Sequence, residues 1–128
     1  MYLQTSTFSG TLPTLPAGLT YLELQNSTFS GTLPTLPAGL TVMQLQNSTF
    51  SGYTAGSFAT QKSLSTSYVQ FTTAANVNAA LEDAVTSLGI SGRVICNFWI
   101  AGSSPAPTGA GLTAAATLTS AGWTVTHN

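Results

Sequence analysis

The chain has 128 residues, with 2 basic and 3 acidic side chains and a formal net charge of −1. Counterion release on nucleic acid, or a basic grip on an anionic membrane surface, needs several lysines or arginines, and Lys62 and Arg93 are all there are. An apolar content of 43% is the reverse of a disordered composition, the length suits one domain with a core, and the single cysteine, Cys96, excludes an internal disulfide and a cysteine-based zinc site.

Hydroxyls take the place of charges, with 22 Thr and 15 Ser. Met1 to Thr5 has neither the basic start nor the apolar stretch of a signal peptide. No apolar run approaches a membrane span, so membrane insertion is not expected.

The first signal along the chain is repetition. Residues 8–20, FSGTLPTLPAGLT, recur letter for letter at 29–41, and Phe50-Ser51-Gly52 opens a third copy, a period of 21. Leu22 and Leu24 flank Glu23, an alternation that predicts a short strand with one buried face. One unit cannot bury that face alone, whereas parallel strands stacked about 4.8 Å apart can. Asn26 and Asn47 fall where the chain leaves the strand and are expected to be buried as an asparagine ladder. Phe8, Phe29 and Phe50 are expected to stack as an aromatic spine. Pro13, Pro16, Pro34 and Pro37 cannot donate to a ladder, so the return limb is expected to be extended and polyproline-like.

The unit Leu19-x-x-Leu22-x-Leu24-x-Asn26-x-x-Phe29-Ser30-Gly31-x-Leu33-Pro34-x-Leu36-Pro37 resembles a leucine-rich repeat. Its Leu-Pro-x-Leu-Pro tail is similar to the short bacterial subtype, and Asn-x-x-Phe-Ser-Gly to plant-type and bacterial surface subtypes. The resemblance covers residues 1–52. It implies an α/β fold, a short leucine-rich-repeat solenoid of about six rungs with parallel strands on one side. Met43 in place of Leu, and Thr5 in place of Asn, are the departures.

Residues 53–75 read as a degenerate rung with a Gly-, Ser- and Thr-rich excursion over 51–67, and Val69-x-Phe71 predicts a fourth strand over 67–72. Val77, Leu81, Ala84, Val85 and Leu88 share one face of a helix over 77–88, with Asn76 as its cap and Gly89 as its stop. Residues 93–101 (RVICNFWIA) predict a strand with Cys96, Phe98 and Ile100 on one face and Ile95, Asn97 and Trp99 on the other. A second helix is expected over 109–120, capped by Thr108 and stopped by Gly122, and a last strand over 123–126. The stretch from Ala106 to Leu112, followed by Ala121-Gly122-Trp123-Thr124-Val125-Thr126, resembles the closing segment of leucine-rich-repeat proteins from bacteria and their phages. It implies a C-terminal cap over 76–128, in one structural domain with the rest.

Catalytic groups are scarce. His127 stands one residue from the end with no partner for a triad. Glu82 and Asp83 are neighbours on a helix and read as a solvated face. Cys96 reads as a buried, inert thiol. No catalytic residue, cofactor or metal site is expected. Asn26-Ser27-Thr28 and Asn47-Ser48-Thr49 match the glycosylation sequon, but a ladder role accounts for both asparagines.

The outward strand face is the candidate binding surface. Its expected columns are Tyr2, Glu23, Gln44, Gln70 and Trp99; then Gln4, Gln25, Gln46, Thr72 and Ala101; then Tyr21, Val42, Tyr68 and Asn97. Amides give directional bonds and rings give flat stacking area, a mixture suited to a surface glycan or a neutral protein. The alternative for these positions is plain solvation of the sheet. The N-terminal end is a second candidate. Met1 aligns with Leu22, so the chain opens in mid-strand, and Met1, Leu3, Phe8 and Leu12 form an uncapped edge. That edge is expected to meet another chain or copy, as in a structural subunit of a virion or surface appendage; otherwise it sits bare. Low charge with high Thr and Ser content fits a protein outside a cell or on a virion surface, with an unusual cytoplasmic protein as the alternative.

Overall fold

The computed structural model describes residues 7–128. It is α/β, with nine parallel strands and two helices among the described residues. The strands are β1 (Ser9–Thr11), β2 (Tyr21–Glu23), β3 (Thr28–Ser30), β4 (Thr32–Leu33), β5 (Val42–Phe50), β6 (Gly52–Tyr53), β7 (Thr66–Phe71), β8 (Asn97–Trp99) and β9 (Thr124–Thr126); the helices are α1 (Ala74–Ser87) and α2 (Ala110–Ser120). The main sheet has the order β2-β5-β7-β8-β9, and two further pairs, β1-β3 and β4-β6, flank it. No helix among the described residues is long and apolar enough to cross a membrane.

Repetition shows directly in the pairing. Tyr21, Leu22 and Glu23 lie opposite Val42, Met43 and Gln44. Leu22, Leu24, Met43, Leu45 and Val69 are all buried, as the alternation requires. The turn that ends each proline limb also recurs: Leu19 N–H donates to the Pro16 carbonyl and Leu40 N–H to the Pro37 carbonyl, both at 3.0 Å.

The phenylalanines are only partly in file. Phe50 lies opposite Phe71, with ring centroids 6.4 Å apart. On the other side Gly10, two residues beyond Phe8, lies opposite Phe29. The aromatic line instead runs inward. Phe71 meets Tyr53 edge-on, Tyr53 stacks on Phe58, Phe58 meets Phe98, and Phe98 meets Trp123. The Gly- and Ser-rich excursion is thus anchored in the core through Tyr53 and Phe58, because a chain with few charges stabilises itself by apolar burial.

The expected asparagine ladder is replaced by a serine ladder. Asn26 and Asn47 are exposed, whereas Ser27, Ser48 and Ser104 are buried. Phe8, Phe29 and Phe71 N–H groups donate to the Oγ atoms of Ser27 (3.2 Å), Ser48 (2.9 Å) and Ser104 (3.0 Å). Ser48 Oγ in turn donates to the Ser27 carbonyl at 2.9 Å. A hydroxyl both accepts and donates from one atom, so it bridges two stacked backbones where a longer amide is pushed to the rim. Asn47 Nδ2 keeps one such bond, to the Gln25 carbonyl. Ser48→Ala strands the Phe29 N–H and is expected to cost about 1–3 kcal/mol, read by chemical denaturation.

Both helices form where expected, with different caps. Thr73 caps α1, its Oγ1 accepting from the Asn76 N–H at 3.3 Å, so Asn76 sits within the first turn. Gly109 is the cap residue of α2. Thr108 is held from α1 instead: its N–H donates to Asn78 Oδ1 and its Oγ1 accepts from Asn78 Nδ2, each at 3.0 Å. Gly111 lets the helices meet there, since a Cβ on it would stand 2.1 Å from Asn78 Oδ1. The strand expected over 93–101 is shortened to β8. Arg93 leaves the ladder, and its guanidinium is spent on Ser87, Lys62 and Leu64.

Asp83 corrects the reading of a solvated helix face. It accepts from Tyr53 Oη and from the Gly56 N–H, each at 2.6 Å. Burial, then this bond, pushes the Tyr53 phenol well above its usual range. Burial likewise pushes the Cys96 thiol up from 9.0 to about 12. The unfolded chain releases these protons first. Their contribution to stability is therefore complete below about pH 9 and falls as pH rises toward 12. Thermal melts from pH 8 to 11 should show that decline, and Cys96→Ala should flatten part of it.

Candidate functional site

The solvent side of the main sheet is set by alternation. Ser67 and Phe98 point into the core, so their neighbours Tyr68 and Trp99 point out and remain partly exposed. The observed column reads Glu23, Gln44, Tyr68, Trp99, Thr126. Tyr68 therefore stands where Gln70 was expected, and Thr66 takes the expected place of Tyr68 beside Val42 and Asn97. The cause is a register shift: β5 spends Leu45 to Ser48 between Gln44 and Thr49, while β7 spends only Val69 between their partners Tyr68 and Gln70. A lone Val-x-Phe spacing cannot reveal such a shortcut, but the interval of 21 from Phe50 to Phe71 could have.

Two expected ligand residues are corrected to structural ones. Gln70 is buried; its Nε2 donates to the Gln46 carbonyl and its Oε1 accepts from the Ser103 N–H at 2.9 Å. It fills the gap that the shortened strand leaves. Glu23 is buried and accepts from Tyr21 Oη at 3.0 Å. Gln25, Gln44 and Gln46 stay partly exposed but bond within the row: Gln25 Nε2 donates to Gln44 Oε1, and Gln46 Nε2 lies 3.5 Å from the same atom. Tyr2 and Gln4 of this face, and Met1 and Leu3 of the N-terminal edge, lie outside the described residues.

What remains is an aromatic ledge. The Tyr68 and Trp99 rings sit side by side on adjacent strands, centroids 5.8 Å apart and tilted by 36°. Gly102, at φ +72°, supports the ledge: a Cβ there would stand 2.7 Å from the Trp99 ring. Gln70 packs on the same glycine, so the indole is held between Tyr68 and the Gly102 backbone. Asn97, Thr124 and Thr126 border it as exposed uncharged side chains. His127 lies past the strand end, with Nδ1 2.8 Å from the Asn128 carbonyl oxygen.

The other edge is apolar. Phe8 is exposed on it and Leu12 is buried, and both line a cleft of about 370 Å3. Comparison of the chain with protein-family models, with curated proteins and with solved structures gave no match.

Proposed function

We propose that this chain is a short leucine-rich-repeat solenoid and works as a non-enzymatic binding module outside a cell or on a virion. It recognises a surface glycan, or a protein of similar neutral chemistry, through its strand face. The observation that carries this reading is the Tyr68–Trp99 ledge. Paired rings at a fixed angle offer a flat apolar surface to a pyranose, and their uncharged neighbours select against ionic ligands. Rigid packing on Gly102 lowers the ordering cost of binding. The parallel pairing and the repeated bonds support the solenoid.

Neutral oligosaccharides should quench the partly exposed Trp99 fluorescence in a saturable way, while Trp123 is buried and serves as an internal reference. Trp99→Ala should abolish binding on a glycan array and leave the fold intact by circular dichroism. A glycan array with no ligand, or a ligand indifferent to Trp99, refutes the reading.

A further inference from the structure

The other end of the strand order holds a different surface. Phe8, Leu12, Pro13, Leu15, Leu24 and Phe29 line the apolar cleft there. Beside it, β1 is exposed along its length, and β3 is its one strand partner among the described residues. The repeats reveal what this surface fits. Phe8 is 41% exposed, Phe29 7% and Phe50 0%, although all three hold the same place in the unit. Among the described residues, Phe8 has the least cover of the three.

Residues 8–20 and 29–41 are identical in sequence and alike in bonding. Phe8 and Phe29 donate to serines 19 residues ahead, and the Leu19 and Leu40 turns close on Pro16 and Pro37 at the same distance. Two such stretches present the same face. The start of the 29–41 face is occupied by 8–20: β1 lies parallel on β3, with Gly10 opposite Phe29 and Thr11 opposite Ser30. The molecule thus contains a working example of the occupant.

We infer that the cleft at Phe8, Leu12 and Leu15 is a docking site for a partner polypeptide carrying this chain's own repeat unit. The partner lies parallel along residues 8–20, as 8–20 lies along 29–41. Its strand, in the register of β1 on β3, sets its Gly opposite Phe8, and its Phe and two leucines close over the cleft that Phe8, Leu12 and Leu15 line. The contact is translational, so it extends the stack without closing it. This inference does not depend on the glycan reading, because Tyr68 and Trp99 lie on other strands.

A synthetic peptide of residues 19–41, added to the full chain, tests it. Saturable binding is expected, with amide shifts confined to residues 8–16 and their contacts. A peptide carrying Phe29→Ser, Leu33→Ser and Leu36→Ser should bind at least about tenfold more weakly. Phe8→Ser in the full chain should weaken binding by about the same factor with its melting curve preserved, and Trp99→Ala should leave binding unchanged. No saturable binding by about 1 mM peptide, equal binding of the substituted peptide, or shifts centred elsewhere overturns the inference. So does a dimer of the chain alone that the peptide fails to displace, since the face would then belong to a second copy packed end to end.

Discussion

Phe50→Ala should lower stability by about 3–5 kcal/mol, the largest effect expected of any single truncation in the repeats. Phe50 is fully buried and packs on Phe71, which carries the contact to Tyr53 and on to Phe58 and Phe98. Removing its ring opens a cavity where the repeats join the excursion, and neighbours held by the serine ladder can collapse into it only partly. Phe8→Ala removes the same side chain from the same place in the unit. Phe8 is already partly in water, so that loss should stay within about 1 kcal/mol. Paired denaturant titrations check both. Equal losses would mean that position in the stack does not govern burial.

Arg93→Ala is expected to cost about 2–4 kcal/mol. Arg93 Nη1 donates to the Leu64 and Val94 carbonyls at 2.7 Å and reaches the Lys62 carbonyl at 3.2 Å, while Nε donates to Ser87 Oγ at 3.1 Å. The guanidinium carbon lies 4.5 Å from the Trp123 ring centroid. One side chain thus ties the excursion, the end of α1 and the last strand together. Its loss leaves the Leu64 carbonyl short of a donor and removes the cation from the indole. Arg93→Lys should recover little, because an ammonium cannot serve four acceptors in a planar fork. Thermal melts of both variants, with Trp123 fluorescence as the local readout, decide this. A lysine variant as stable as the parent would show that charge alone suffices.

The amino-acid sequence by itself determined the parallel pairing of the repeats. An interval of 21 repeated without change leaves Tyr21 to Glu23 one economical neighbour, Val42 to Gln44. It determined both helices, because apolar spacing along Val77, Leu81 and Ala84 admits one buried face. It also determined the inward set Cys96, Phe98 and Ile100 by alternation. These are local rules, and a window of a few residues contains them.

Only the tertiary structure decided the rest. Whether Asn26 or Ser27 faces the next backbone depends on how close that backbone comes. Gln70 looked like a surface amide until the shortened β7 left a gap for it to fill, and Tyr68 took its column through the same shortcut. Asp83 looked like a solvated charge, and Arg93 like the first residue of a strand, until Tyr53, 30 residues before Asp83, and Leu64, 29 residues before Arg93, came within bonding distance. In each case the partner is distant along the chain. A polar side chain's role is set by the backbone and hydroxyl groups that packing brings to it, and those distances exist only once the chain has folded.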